Sequence, residues 1–504
     1  MPAADSATDH FDAVKISFAE RLCRASRTSA FWAVLAFAAT RFGLYVCFSA
    51  STSDVGVYFH YVVQGVDYGR TPYLQSQPKP VWLRDIRTFE YPPVAYWVMT
   101  LPRRLSSWRM PPEPNDPDLW QSYIDLWFKH YAHYDHGFRG LMLLADIAAF
   151  WLFATILRRR KPEFLVWGLW AYVLSTAVLG YVLLERLDIF LTSLLLAWAY
   201  CWLRADDSPS RDWLWSAAAY AVLGLGVSFK LIPIIIAPFP LLADLHALWR
   251  KPRDARLLLG PVALAVTALG PFAYYYALVG NDLTTMFEFH SVRGVQIESS
   301  YASAMMLSAP AEALQCYFGY GSWNLRGAHE TAYLILSSLL LPAVLLGFGL
   351  RALAAPMLGE KFDRTAAYRW ACVTVPVATL LAKVFSVQYL LWAVPLLLLA
   401  GAEYFPRRRF RAIAVGSVLS CALTAFIFPH HYMDKMYAWP YSEKTPPPFV
   451  LIENFRDENP ADPGLGLIGD LSKGLPRAAM VGRNVLFAAL CTAVTIAALR
   501  RRRK

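Results

Sequence analysis

The sequence predicts an all-α polytopic membrane protein, and three observations support this fold class. The chain has 504 residues, of which 57% are hydrophobic and only 17% charged, and its mean hydropathy is +0.34. Many apolar runs have the length of a helix that crosses a bilayer, about 17 to 25 residues. The net charge of +11 is concentrated at helix ends and at the C-terminus. Cytoplasmic loop bias and anionic lipids explain such an excess, so nucleic-acid binding is not expected.

The apolar runs predict about twelve transmembrane helices with both termini in the cytoplasm. Orientation follows from the basic clusters 158–161, 407–411 and 500–504, because short basic loops stay on the cytoplasmic side. The predicted spans are 30–50, 139–158, 164–183, 187–203, 213–229, 231–247, 257–279, 331–354, 367–383, 388–404, 411–429 and 482–499.

The predicted organisation is one transmembrane domain over 30–499, between a cytoplasmic segment 1–29 and a basic cytoplasmic tail 500–504. The start of the chain lacks the order of a signal peptide, so the first apolar run is predicted to be a retained span. The seven cysteines of the whole chain are scattered and have neither disulfide nor metal-site spacing. Three long outer loops are predicted at 51–138, 280–330 and 430–481, and within the first of them 93–104 is predicted to form an interfacial or re-entrant helix.

Two carboxylates of the first outer loop are candidate site residues. Asp54 follows the first span by a few residues, and a charge near lipid is a functional candidate. The alternative is structural, because Asp54 could also cap a short helix from Val55 to Gln64. Glu90 precedes two prolines, which stiffen the entry to the interfacial helix.

The second outer loop contains the string HSVRGVQIESS. If it is helical, His290, Arg293 and Gln296 recur every three residues and point to one side. The planar fork of arginine suits phosphate, and histidine and glutamine add hydrogen bonds. The alternative is a solvated amphipathic loop.

Further polar residues occupy predicted outer turns between spans. Each of them alone is better explained as a snorkelling or paired charge. Their recurrence on one side of the membrane favours a single polar site. These residues are Lys230 in FKLIPII, Lys383 and Gln388 in KVFSVQYLL, and Glu185 and Asp188 in LLERLDIF. If the helix through LLERLDIF is continuous, Glu185 and Asp188 share one face and Arg186 lies to the side.

Taken in order, the strings DVGVYFHYVVQGVDYGRTPY, EYPP, LLERLDIF, FKLIPII, FHSVRGVQIESS and KVFSVQYLLWAVPLL resemble the motifs of GT-C class integral-membrane glycosyltransferases. Within that class they most resemble bacterial mannosyltransferases that use polyprenyl-phosphate mannose and elongate phosphatidylinositol mannosides. The resemblance runs from about residue 41 to 400. Val55 stands where some branches of the class have a glutamate after the aspartate, so Glu90 becomes the candidate for a second carboxylate.

The resemblance implies a GT-C-like bundle that transfers a sugar, mannose by resemblance, from a polyprenyl-phosphate donor. The acceptor is a lipid-linked molecule or a glycan, and the site lies on the extracytoplasmic face of a bacterial cell membrane. It implies that Asp54 is the general base and that the anomeric configuration inverts. No cofactor or metal is expected, since cations of the chain can neutralise the leaving phosphate. The predicted phosphate-binding residues are Arg293, Lys230, Lys383 and His290, and the predicted substrate contacts are Gln296, Glu185, Asp188, Gln388 and Tyr58.

Two other classes of protein share part of this pattern. A transporter or flippase for an anionic lipid or sugar would also carry charged residues among many spans. Its site, however, is expected at the bilayer midplane, whereas here the polar residues crowd one surface. A structural membrane scaffold leaves Asp54 and Arg293 without a purpose.

Overall fold

The computed structural model describes residues 29–47, 53–74, 89–114, 116–207, 211–250, 255–287, 293–310, 313–319, 322–431 and 474–500. Most of these residues are helical. The helices are α1 (Ser29–Cys47), α2 (Ser53–Val62), α3 (Pro93–Arg104), α4 (Trp120–Arg160), α5 (Leu165–Val178), α6 (Gly180–Leu183), α7 (Asp188–Asp207), α8 (Asp212–Phe229), α9 (Pro238–Arg250), α10 (Leu259–Val279), α11 (Ser300–Ser308), α12 (Glu330–Leu353), α13 (Arg364–Leu381), α14 (Leu390–Tyr404), α15 (Arg407–Ala425) and α16 (Gly474–Arg500).

Within the described ranges, nine helical segments are long and apolar enough to cross a membrane. The all-α polytopic membrane fold is therefore what the chain adopts. The predicted number of twelve crossings is not confirmed. The other three predicted spans, 164–183, 213–229 and 367–383, contain α5 with α6, α8 and α13, which fall below this combination of length and apolarity.

Helix α14 lies at the centre of the bundle. Its residues from Leu390 to Glu403 are all buried, and it contacts α4, α5, α7, α13, α15 and α16. Helices α1, α10 and α12 lie at the periphery, where few of their residues are buried. Such apolar outward faces are what lipid-facing helices present.

The short helix predicted at 93–104 is present as α3, with the same bounds. Pro92 precedes it in extended conformation and Pro93 is its first residue, a position where proline is favoured because the missing N–H has no helical partner. Twelve residues of helix are about 18 Å long, too short for a bilayer crossing. Helix α3 packs against α2, α4, α8 and α10.

A small β-structure that the hydropathy pattern did not reveal follows α11. Strands β1 (Gln315–Gly319) and β2 (Ser322–Arg326) form an antiparallel hairpin. Residues 295–297 pair with β2 through Ile297 N to Trp323 O (2.9 Å) and Leu325 N to Val295 O (2.8 Å). This layer shares a buried apolar cluster with the end of α15 and the start of α16.

Candidate functional site

Asp54 lies in the first turn of α2, where the helix dipole stabilises a carboxylate. The helix begins at Ser53, so Asp54 is inside it and is not the cap of a helix starting at Val55. Its carboxylate forms an ion pair with Arg186, and both side chains are about three-quarters buried. Burial raises the pKa of Asp54, and Arg186 opposes that shift. The result is a carboxylate that accepts a proton more readily than an exposed aspartate.

Arg186 reaches Asp54 because the helix between α6 and α7 is interrupted. Residues 184–187 form turns, and α7 begins at Asp188. A continuous helix would have placed Glu185 and Asp188 on one face and Arg186 to the side; that condition is not met here. Leu184 and Leu187 are buried on either side of it, which anchors the turn. Glu185 is buried too.

Glu90 forms the second ion pair of the site, with Arg293 at 2.9 Å. Glu90 is held by its neighbour Tyr91, whose hydroxyl is 3.0 Å from that of Tyr58 and whose carbonyl accepts a hydrogen bond from Tyr73. Tyr58 is one turn from Asp54 on α2. The entry to α3 and the start of α2 are thereby fixed to each other.

Lys230 and Asp188 form the third ion pair, at 2.6 Å. Trp392 of α14 donates to the same carboxylate oxygen at 2.8 Å. The ammonium of Lys230 also lies 4.9 Å from the centre of the Tyr389 ring. Because α8 ends at Phe229 and Lys230 is extended, its side chain leaves the helix axis and points at the start of α7.

Lys383 connects the site to the segment after α13. Its ammonium donates to the carbonyl of Arg293 at 3.1 Å, and its own carbonyl accepts from the backbone N–H of Gln296 at 3.2 Å. Burial and the nearby Arg293 lower the pKa of Lys383. Lys383 and Arg293 are therefore held side by side by backbone contacts.

The segment carrying Arg293 is not helical, so the one-sided arrangement that a helix would give Arg293 and Gln296 does not occur. Gly294 explains part of this conformation, since a Cβ there would lie 2.2 Å from the hydroxyl of Tyr317. Pairing with β2 provides the rest. His290, the third residue of that prediction, lies outside the described residues.

The three ion pairs are neighbours and define what we call the three-pair cluster: Asp54–Arg186, Glu90–Arg293 and Asp188–Lys230. After burial and Arg186, the charges of Glu90 and Asp188 also act on the pKa of Asp54. The cluster thus joins chain segments that lie more than 200 residues apart. Of the other predicted contacts, Gln388 is buried and accepts from Ser386 at 2.7 Å, which fixes the turn before α14.

Two further residues near the cluster carried no signal strong enough to single them out. Trp392 lies in an apolar run, which predicts a position in the core of the helix bundle. Glu298 follows Gln296 in QIESS, and its buried carboxylate has a pKa raised by burial to about 7, with Arg483 and Arg186 acting in the opposite direction.

The chain matches no protein-family model, and a search of curated proteins finds no significant match. The site's chemistry is therefore argued from its own residues. It combines a buried carboxylate able to accept a proton with several cations able to bind an anion.

Proposed function

We propose that this protein is an inverting glycosyltransferase that uses a polyprenyl-phosphate sugar, with mannose as the sugar suggested by the resemblance. The observation that carries the proposal is the three-pair cluster, in which a buried base candidate adjoins cations from separate segments. Membrane helices hold a lipid-linked donor, whose tail stays in the bilayer while its phosphate meets this cluster. The acceptor is a lipid-linked molecule or a glycan on the extracytoplasmic face.

Asp54 serves as the base that takes the proton from the acceptor hydroxyl. Its raised pKa favours proton transfer, and the ion pair with Arg186 favours the ionised form that acts as the base. The ion pair also fixes the direction of the carboxylate, which lies on a short buried helix. A single base acting opposite the leaving phosphate inverts the anomeric centre, so a β-linked donor gives an α-glycoside.

Arg293, Lys230 and Lys383 bind the donor phosphate and stabilise the charge that grows on it as the sugar leaves. Glu90 and Asp188 hold Arg293 and Lys230 in place through their ion pairs. Arg293 and Lys230 each have more N–H donors than their ion pairs with Glu90 and Asp188 use, since arginine carries five and lysine three. Arg293 and Lys230 can therefore stay paired with their carboxylates while they donate hydrogen bonds to a phosphate.

Arg293 is expected to show a graded loss of donor binding. Arg293→Lys keeps the charge but loses the fork, and Arg293→Ala loses both, so donor affinity falls in the order wild type, Lys, Ala. Losing one charge-assisted contact of about 1.5 to 3 kcal/mol weakens binding about 10- to 100-fold. Donor and acceptor affinities are measured separately on purified protein with polyprenyl-phosphate mannose.

Arg326 provides the matched control for this series. It belongs to the same layer, on β2, and its ion pair with Glu330 is partly exposed. Arg326→Lys and Arg326→Ala are expected to leave donor affinity unchanged. Unchanged donor affinity together with weakened acceptor binding in the Arg293 variants would place Arg293 on the acceptor side and contradict this assignment.

A further inference from the structure

Helix α16 contacts the segment that follows Arg293 through two adjacent polar residues. Arg483 and Asn484 are both buried, at 0% and 3% exposure. Burying an arginine costs free energy unless neighbouring groups accept hydrogen bonds from its guanidinium or pair with its charge. Its guanidinium lies 4.3 Å from the centre of the Phe385 ring, and its Nε donates to the side chain of Asn484 at 3.1 Å.

These two residues bind one turn of the chain, residues 298–299. Arg483 donates to the carbonyl of Glu298. The amide of Asn484 donates to the carbonyls of Glu298 and Ser299, each at 3.0 Å, and to the hydroxyl of Ser303 at 2.7 Å. The turn is thereby fixed to α16 by several hydrogen bonds that would each cost free energy if left unmade.

The turn at residues 298–299 also holds the segment that carries Arg293 and contacts Lys383. The side chain of Gln296 donates to the carboxylate of Glu298 at 3.2 Å, and its backbone N–H donates to Lys383 O. Lys383 then donates to the carbonyl of Arg293. A continuous chain of contacts runs from Asn484 to Arg293.

We infer that Arg483 and Asn484 are positioning residues, which hold Arg293 and Lys383 in the geometry that binds the donor phosphate, with Glu298 as the ionisable group of this anchor. The inference rests on the proposed function and deepens it. It makes α16 part of the site, although α16 lies outside the part of the chain that carries the sequence resemblance.

Glu298 gives the anchor a dependence on pH that a purely structural contact lacks. Its pKa of about 7 is set by burial, which raises it, and by Arg483 on α16 and Arg186 before α7, which lower it. Below that pH the carboxyl is neutral; above it a carboxylate forms under the influence of Arg483 and Arg186, and the hydrogen bond from Gln296 becomes charge-assisted. The anchor is therefore expected to hold better, and donor binding to strengthen, as pH rises through about 7.

The test uses the full-length protein in vesicles of phosphatidylethanolamine and phosphatidylglycerol, with polyprenyl-phosphate mannose and an alkyl mannoside as substrates. Asn484→Leu removes the amide whose two N–H groups serve three acceptors, and is expected to raise the KM for the donor at least about 10-fold, with the KM for the acceptor unchanged. Arg483→Lys, which keeps the charge, is expected to give a smaller rise. Glu298→Gln keeps the size of the side chain and is expected to abolish the change of donor KM between pH 6 and 8.

Arg477→Met is the matched control. Arg477 lies on the same helix and also donates to backbone carbonyls, those of Met306 and Ala309, but these belong to the end of α11. It tests whether any loosening of α16 suffices. An equal rise of donor KM in Arg477→Met, or an unchanged one in Asn484→Leu, overturns the inference.

If Asn484→Leu does not fold, the test is the donor KM of Glu298→Gln between pH 6 and 8. If that KM changes with pH as much as the wild-type KM does, the inference is overturned. Failure of the proposed function is distinguishable, because the wild type itself then transfers no sugar. If the wild type transfers sugar but the donor KM is unchanged in all of these variants, only the role of α16 is contradicted.

Discussion

Replacing Asp54 with asparagine is expected to lower the rate of sugar transfer at least about 100-fold, the usual effect of losing a general base. Asparagine keeps the size and the helix position but cannot accept the proton. The variant is expected to bind the donor normally, because the phosphate ligands are untouched. In the wild type, the rate falls as pH drops through the raised pKa of Asp54, since protonation removes the base. Initial rates at saturating donor measure both effects.

Asp125→Asn is the control for that change. Asp125 is an exposed carboxylate on α4 that accepts a hydrogen bond from Gln121 one turn away. Loss of its charge is expected to leave the rate of sugar transfer unchanged. Monodisperse, normally expressed Asp54→Asn protein excludes misfolding. Near-normal transfer by Asp54→Asn would mean that Asp54 only anchors Arg186, and Glu90 or Asp188 would become the base candidate.

The largest expected effect on stability lies away from the cluster, at a buried ion pair inside the helix bundle. Arg41 of α1 and Asp146 of α4 are 2.7 Å apart and almost fully buried, and Tyr172 donates to the same carboxylate at 2.8 Å. Arg41→Met leaves that carboxylate without its cation, and breaking such a pair costs about 3 to 5 kcal/mol. Arg41 shares its helix face with Ala33 and Phe37, the buried stripe that docks α1. Unfolding in mixed micelles measures the loss.

Two further variants separate charge burial from packing. Arg41→Met with Asp146→Leu removes both charges and is expected to recover part of the lost stability, because no uncompensated charge remains. Arg351→Met breaks a pair with Glu360 that is about one-quarter exposed and is expected to cost less than Arg41→Met, because solvent screens part of its charge. Equal losses in Arg41→Met and Arg351→Met would contradict the role given to the Arg41–Asp146 pair.

Hydropathy patterning predicted the all-α membrane fold class and located most of the helices. The predicted spans overlap helices, and the proline pair at Pro92 and Pro93 marked the start of α3 correctly. Hydropathy could not tell spans from shorter packed helices, because a buried helix and a lipid-facing helix are equally apolar. The hairpin β1–β2 was missed because its segment is short and mixed in composition, with no long alternating pattern.

The candidate site was predictable as a set of residues but not as a set of pairs. Charged residues stood out against apolar runs, and the structure brings Asp54, Glu90, Asp188, Lys230 and Arg293 into one cluster. Their pairing depends on local breaks in the backbone. The turn at 184–187 points Arg186 at Asp54, and the non-helical segment at 293–297, bonded to β2, places Arg293 beside Glu90. Helical periodicity predicted neither direction.

The most direct measurement follows radiolabelled mannose from polyprenyl-phosphate mannose, with purified protein in sealed vesicles and an alkyl mannoside acceptor. We expect the label to move to the acceptor as an α-linked product, with polyprenyl phosphate released, and Asp54→Asn to abolish this transfer. Labelled donor that crosses the bilayer chemically unchanged, with no mannoside product, would contradict a glycosyltransferase and indicate a flippase.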